Sequence, residues 1–155
     1  MKKRLYLLAF LAFAISLVSC KKDEEPEPIP EVVGKWSVDY GILSGFANPN
    51  LNGLKIDPFS EVNYGDYFYT STIHILNDQN KTFVEVFKAG GVAEDFAGKW
   101  SFEGSTLTLD YDESNIPNET LTYRITNGLQ ELVSQPFDIA LDSATTGKIQ
   151  YVYRK

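Results

Sequence analysis

From Val32 to its C-terminus the chain alternates apolar and polar residues with a period of two, and this alternation leaves little room for any architecture but antiparallel sheet. Trp36, Val38 and Tyr40 mark one such run, Tyr69, Ser71, Ile73 and Ile75 a second, and Phe96, Gly98, Trp100 and Phe102 a third. Thr106 to Tyr111 places its apolar residues on odd positions, as do Leu121, Tyr123, Ile125 and then Ile149, Tyr151, Tyr153. Phe83-Val84-Glu85-Val86-Phe87 is apolar on nearly both faces, and Gln130 to Leu141 adds a less regular segment. A period of two lays one face of each strand against a core. Turn residues fall between the runs at Asn77 to Asn80, Gly90-Gly91, Glu103-Gly104-Ser105, Asn115 to Asn118, Asn127-Gly128 and Thr145-Thr146-Gly147, where they connect successive hairpins. The pattern predicts an all-β, up-and-down antiparallel meander of about eight strands. Such a meander must deal with two edges, and closure into a single barrel removes them, with an open sandwich as the alternative.

The first 19 residues have a different organisation. Lys2, Lys3 and Arg4 precede an apolar run from Leu5 to Val18, which is shorter than the roughly 20 residues a membrane-crossing helix needs, and small Ser19 precedes the single cysteine. Leu17-Val18-Ser19-Cys20 resembles a bacterial lipobox, which implies cleavage before Cys20 and attachment of acyl chains there. One chain gives only reversible membrane binding, whereas two or three hold essentially permanently. Residues 20–31 follow as the lipidated N-terminus and a tether, because Pro26, Pro28 and Pro30 among Asp23, Glu24, Glu25 and Glu27 exclude helix and strand. The lysine pair and acids after Cys20 resemble the export signal of surface-exposed lipoproteins in the Bacteroidetes. The expected organisation is a signal peptide at 1–19, the tether at 20–31 and one domain at 32–155, anchored in the outer membrane and facing the surface or, alternatively, the periplasm.

Cleavage leaves 11 of the 14 Lys and Arg residues against 21 Asp and Glu, a net charge of about −10. Such a field repels phosphate backbones, and a nucleic-acid partner is not expected. With Cys20 acylated, no disulfide is available to the domain.

Gly34-Lys35-Trp36-Ser37 is echoed at Gly98-Lys99-Trp100-Ser101, two copies where stacked repeats need three or more. With the anchored context, these segments make the chain resemble the lipocalin-like (calycin-like) domains of Bacteroidetes lipoproteins. In that resemblance Val33 to Trp36 is the Gly-x-Trp opening of the first strand, Gly98 through Leu109 the middle hairpin and Lys148 to Lys155 the closing strand. The later lipocalin motifs and the disulfides have no counterpart here, so no defined cargo is implied. The resemblance does imply that Trp36 and Arg154 meet where the barrel closes, as a structural cation–π contact.

Gly41 to Asp66, about 26 residues without clear periodicity, is the candidate plug or ligand gate. Phe46 and Leu54 within it, and Tyr67 and Tyr69 in the densest aromatic cluster, are the candidate ligand-binding residues. Asp142-Ser143-Ala144 resembles the O-glycosylation motif of Bacteroidetes exported proteins, with Ser143 as acceptor. His74 is the only histidine, no nucleophile-elbow pattern surrounds any serine, and Asp110 to Asn115 begins like a calcium loop but lacks its sixth-position glycine. No catalytic residue, metal or cofactor is expected, and hydrolysis by a carboxylate pair is the least favoured reading. Two functions fit best. One is a binding module for a small apolar, amphipathic or glycan ligand; the other is a filled barrel acting as an accessory subunit for an outer-membrane protein or another surface.

Overall fold

The alternating segments hydrogen-bond into a ring. The structure is a computed structural model that describes residues 28–57, 69–89 and 92–155. The leader, Cys20 and most of the tether therefore lie outside the described residues, as does Tyr67. Among the described residues ten strands follow in chain order: β1 (Gly34–Ser44), β2 (Lys55–Ile56), β3 (Tyr69–Ile75), β4 (Thr82–Ala89), β5 (Val92–Glu103), β6 (Thr106–Tyr111), β7 (Glu119–Thr126), β8 (Leu129–Ser134), β9 (Phe137–Ala140) and β10 (Thr146–Arg154). Every pairing is antiparallel, in the order β2-β1-β3-β4-β5-β6-β7-β8-β10-β9, and β1 also pairs with β10. That additional pairing, from Ser37↔Arg154 to Ser44↔Lys148, closes β1, β3 to β8 and β10 into an eight-stranded up-and-down barrel.

Eight strands match the meander read from the sequence; β2 and β9 are additions. They arise because β1 and β10 run on past the ring. β1 pairs with β3 through Gly34 to Ser37, then at Gly41 and Ile42 with β2, while β10 pairs with β9 through Thr146 to Ile149 before joining β8 at Val152. The register shift between Val38 and Tyr40 falls where β1 changes partner, the usual role of a bulge in re-aiming a strand. Pro136, which cannot donate to a ladder, separates β8 from β9 and accounts for the irregular look of Gln130 to Leu141. The stretch expected to lack periodicity is thus partly strand, with Gly41 to Ser44 belonging to β1 and Lys55-Ile56 to β2, while its residues 58–66 lie outside the described residues. Between them a 3-10 turn, Pro49–Leu51, is capped by Asn48, and Asn52 holds Phe46 by accepting from its N–H at 2.8 Å and donating to its carbonyl at 3.0 Å.

Tight turns set the ring's register. Asn127 and Gly128 both have positive φ, 52° and 79°, so Thr126 faces Leu129 across a two-residue loop whose twist suits the strands. Glu103 faces Thr106 in the same way around Gly104. Gly98 serves a different purpose. A Cβ there would stand 2.1 Å from the Asp110 carbonyl oxygen and 2.8 Å from the Phe83 ring, so only glycine lets β5 approach β6 beneath Phe83.

Because neighbours are antiparallel, the start of β1, the ends of β3, β5 and β7, and the end of β10 share one end of the barrel, and that end is packed shut. Fully buried Trp36 lies edge-on to Tyr123, which lies edge-on to Phe102, at centroid separations of 6.3 and 6.0 Å. Val32, also fully buried, accepts the Trp36 indole N–H at 2.7 Å. Trp100 closes the same end and donates its indole N–H to the Leu76 carbonyl at 3.1 Å. The two Gly-Lys-Trp segments therefore each supply a buried tryptophan to the closed end, bonded to backbone.

Candidate ligand-binding cavity

Among the described residues the opposite end of the barrel is open, and there the inward-facing residues change character. Along β4 the period of two puts Phe83, Glu85 and Phe87 on the inner face, and along β7 it puts Glu119 with Leu121 and Tyr123. Ladder pairing then carries Glu85 beside Ile73 and Phe96, Phe87 beside Ser71 and Glu94, and Glu119 beside Leu109. Of these, Glu85, Phe87, Glu94, Phe96 and Glu119, together with Tyr111, Pro117, Phe137 and Tyr153, line a cavity of about 530 Å³, within the size range of small-molecule sites.

Its floor is one hydrogen-bonded chain. Ser71 Oγ donates to Glu85 Oε1 at 2.5 Å, and Tyr111 donates its hydroxyl proton to Glu85 Oε2 at 2.6 Å. The same hydroxyl lies 3.2 Å from Glu119 Oε2. Tyr153, fully buried beneath, is hydrogen-bonded to Ser71. The Tyr111 ring is fixed edge-on by Phe83 and Phe96, at centroid separations of 5.2 and 6.3 Å.

Counting protons decides the charge state of this chain. A phenol has one proton, so Tyr111 can satisfy one carboxylate; Glu85 holds it along with the Ser71 proton. Glu119 meets the hydroxyl's lone pair unless it brings a proton of its own. Burial, and then the negative charge of Glu85, push the Glu119 carboxyl up to about 7, against a smaller opposing effect of the Tyr111 hydrogen bond. Burial and the carboxylates of Glu119 and Glu85 likewise push the Tyr111 and Tyr153 hydroxyls far up, so both keep their protons.

Another buried carboxylate sits outside the cavity. Glu131 of β8, fully buried, lies on the opposite face of its strand from core Leu132 and accepts from Arg154 at 2.8 Å and Arg124 at 2.8 Å. Burial pushes this carboxyl up, but hydrogen bonds from Arg154, Arg124 and Thr126 outweigh it and hold Glu131 below the usual carboxylate range. Arg154 also pairs with Asp39 at 2.6 Å and lies 5.3 Å from the Tyr40 ring centroid.

The residues singled out from the sequence are dispersed. Trp36 and Arg154 stand on β1 and β10, the two strands whose pairing closes the ring, but the cation over the Trp36 ring is Lys155, at 4.9 Å, and Arg154 faces Tyr40 instead. The one-residue difference follows from alternation, since Tyr153 and Lys155 share the side of β10 opposite Arg154. Phe46 is buried over Gly147, where a Cβ would fall 2.4 Å from its ring, and Leu54 is 39% exposed; neither lines the cavity. Tyr69 begins β3. His74 is exposed on the outer face of the same strand. Ser143 occupies an exposed turn in which Asp142 accepts from the Ala144 and Thr145 N–H groups at 2.8 and 2.7 Å. Among the described residues no group of three or more His, Cys, Asp or Glu is placed to hold a metal ion. Sequence reasoning passed over Glu85 and Glu119, and the available signal was parity: each is an acid in step with the apolar residues of its own strand.

Comparison with protein-family models, with curated proteins and with solved structures gives no match. The geometry defines the class: a closed eight-stranded antiparallel barrel, consistent with a lipocalin-like fold, shut at one end by aromatic packing and, among the described residues, hollow at the other.

Proposed function

We propose that the protein is a non-catalytic binding module of the cell envelope that takes a small amphipathic molecule into the open end of its barrel. The observation that carries this reading is the cavity of about 530 Å³, with aromatic walls and a few convergent polar groups on its floor. The Leu17-Val18-Ser19-Cys20 segment supports an acyl anchor at Cys20, and the acidic, proline-rich stretch behind it supports a barrel held off the outer membrane, facing outward. Exposed Ser143 suits an O-glycan.

Native mass spectrometry of the chain isolated from its own envelope tests the binding role. A reproducible small-molecule adduct supports it. A bare protein mass favours an accessory subunit that acts through its surface. Replacement of Cys20 by Ala tests the anchor, because loss of incorporated fatty acid and of membrane association is expected.

A further inference from the structure

We infer that the cavity selects a ligand bearing a protonated amine on an apolar or aromatic body, with the amine seated against Glu119 and Glu85; this rests on the ligand-binding reading above. Three features of the cavity converge on that chemistry. Its walls are apolar and aromatic, with Phe87, Phe96 and Phe137 above the floor, and they suit a hydrocarbon or ring rather than a free ion. Its charged groups are all acids: Glu85 from β4, Glu94 from β5 and Glu119 from β7, and among the described lining residues none is basic. The floor is also one donor short. Ser71, Tyr111 and Tyr153 supply hydroxyls from β3, β6 and β10, and Ser134 lines the cavity from β8, yet the one side-chain hydrogen bond described at Glu119 is the contact with the Tyr111 oxygen, whose proton belongs to Glu85. An ammonium group brings three donors and a positive charge, and so meets both deficits at once. A metal ion fits less well, because among the described residues the acids do not form a ligating cluster.

Binding is then linked to protons. With Glu119 protonated up to about pH 7, an incoming ammonium displaces that proton, so affinity rises as pH is raised through neutrality. A carboxylate-bearing ligand is excluded, since it would add a further negative charge beside the pair.

The test uses the full chain in lipid nanodiscs and three water-soluble probes of one shape: phenethylamine, 2-phenylethanol and 3-phenylpropanoate, measured by isothermal titration calorimetry at pH 5.5 and 8. Phenethylamine is expected to bind about tenfold or more tighter than the alcohol at pH 8, to lose about tenfold on acidification, and the propanoate not to bind. Glu119→Gln, with its fold checked by circular dichroism, should abolish the amine preference and its pH dependence while leaving alcohol binding in place. Equal binding of amine and alcohol would overturn the amine inference and leave the cavity reading standing. If none of the three binds at millimolar concentration, both fall.

Discussion

The closed and open ends of this barrel each bury glutamate, and they treat it in opposite ways. At the closed end Glu131 lies under Arg124 and Arg154, which outweigh the effect of its burial, so its carboxyl is held in the charged form. At the open end Glu85 and Glu119 both face the Tyr111 hydroxyl, whose one proton goes to Glu85, with no cation among the described lining residues, and Glu119 is pushed toward its neutral form. Removing charge from water is costly wherever it occurs, and only the partner decides the outcome. A completed pair holds strands together; an incomplete one leaves interaction energy for something that arrives later.

The largest effect that sharpens this contrast is expected from Trp36→Ala. Truncating a fully buried tryptophan at the closed end should cost about 3–5 kcal/mol in denaturant unfolding, and Phe96→Ala at the half-buried cavity wall about 1–2. A Trp36 variant that kept its stability but lost ligand would break the division of labour between the ends.

Next comes Glu131→Ala, expected to lose about 3 kcal/mol because Arg124 loses its carboxylate and Arg154 is left with Asp39 alone. The same measurement on Glu119→Gln at pH 8 should give the opposite sign. Equal losses at both sites would show that the two glutamates do the same job.

The pH profile separates them without mutation. Glu119 holds its proton up to about pH 7 in the folded chain but only to about 4.5 when unfolded. Its contribution is therefore fully present below pH 4.5 and is lost as pH rises through 7, a swing of about 3 kcal/mol. Glu131, whose carboxyl is lowered, contributes above its ordinary value and loses that contribution as pH falls through its folded value. Unfolding free energy measured from pH 3 to 8 should peak near pH 5, and Glu119→Gln should remove the decline on the alkaline side. A wild-type profile flat from pH 5 to 8 would contradict the carboxyl arrangement on the cavity floor.

The smallest effect is expected at Lys155, whose ammonium lies over the Trp36 ring and donates to the Glu31 carbonyl at 2.6 Å. Lys155→Ala should cost about 0.5–1 kcal/mol, and Arg154→Ala more, because Arg154 bridges Glu131 and Asp39. Equal costs would remove the distinction drawn between the two neighbouring cations.

Strand existence was legible because most ring strands bury one face, and Phe96, Gly98, Trp100 and Phe102 state that face directly. β2 and β9 were not legible, since two and four residues carry too little period and their pairing depends on how far β1 and β10 run past the ring. The aromatic candidates drew attention by density rather than by position, and Phe46 proved to cover a glycine of β10. The residues on the cavity floor come from five strands, and no local spacing links Ser71, Glu85, Tyr111, Glu119 and Tyr153.

The sequence by itself determined an all-β chain, the order of its ring strands and the hairpin turns between them, because alternation and positive-φ turn residues act over a few neighbours. Only the tertiary structure decided that β1 meets β10, which end closes, and which buried acids acquire a cation. Those outcomes depend on groups far apart along the chain whose charges and protons interact only once the ring has brought them within a few ångströms.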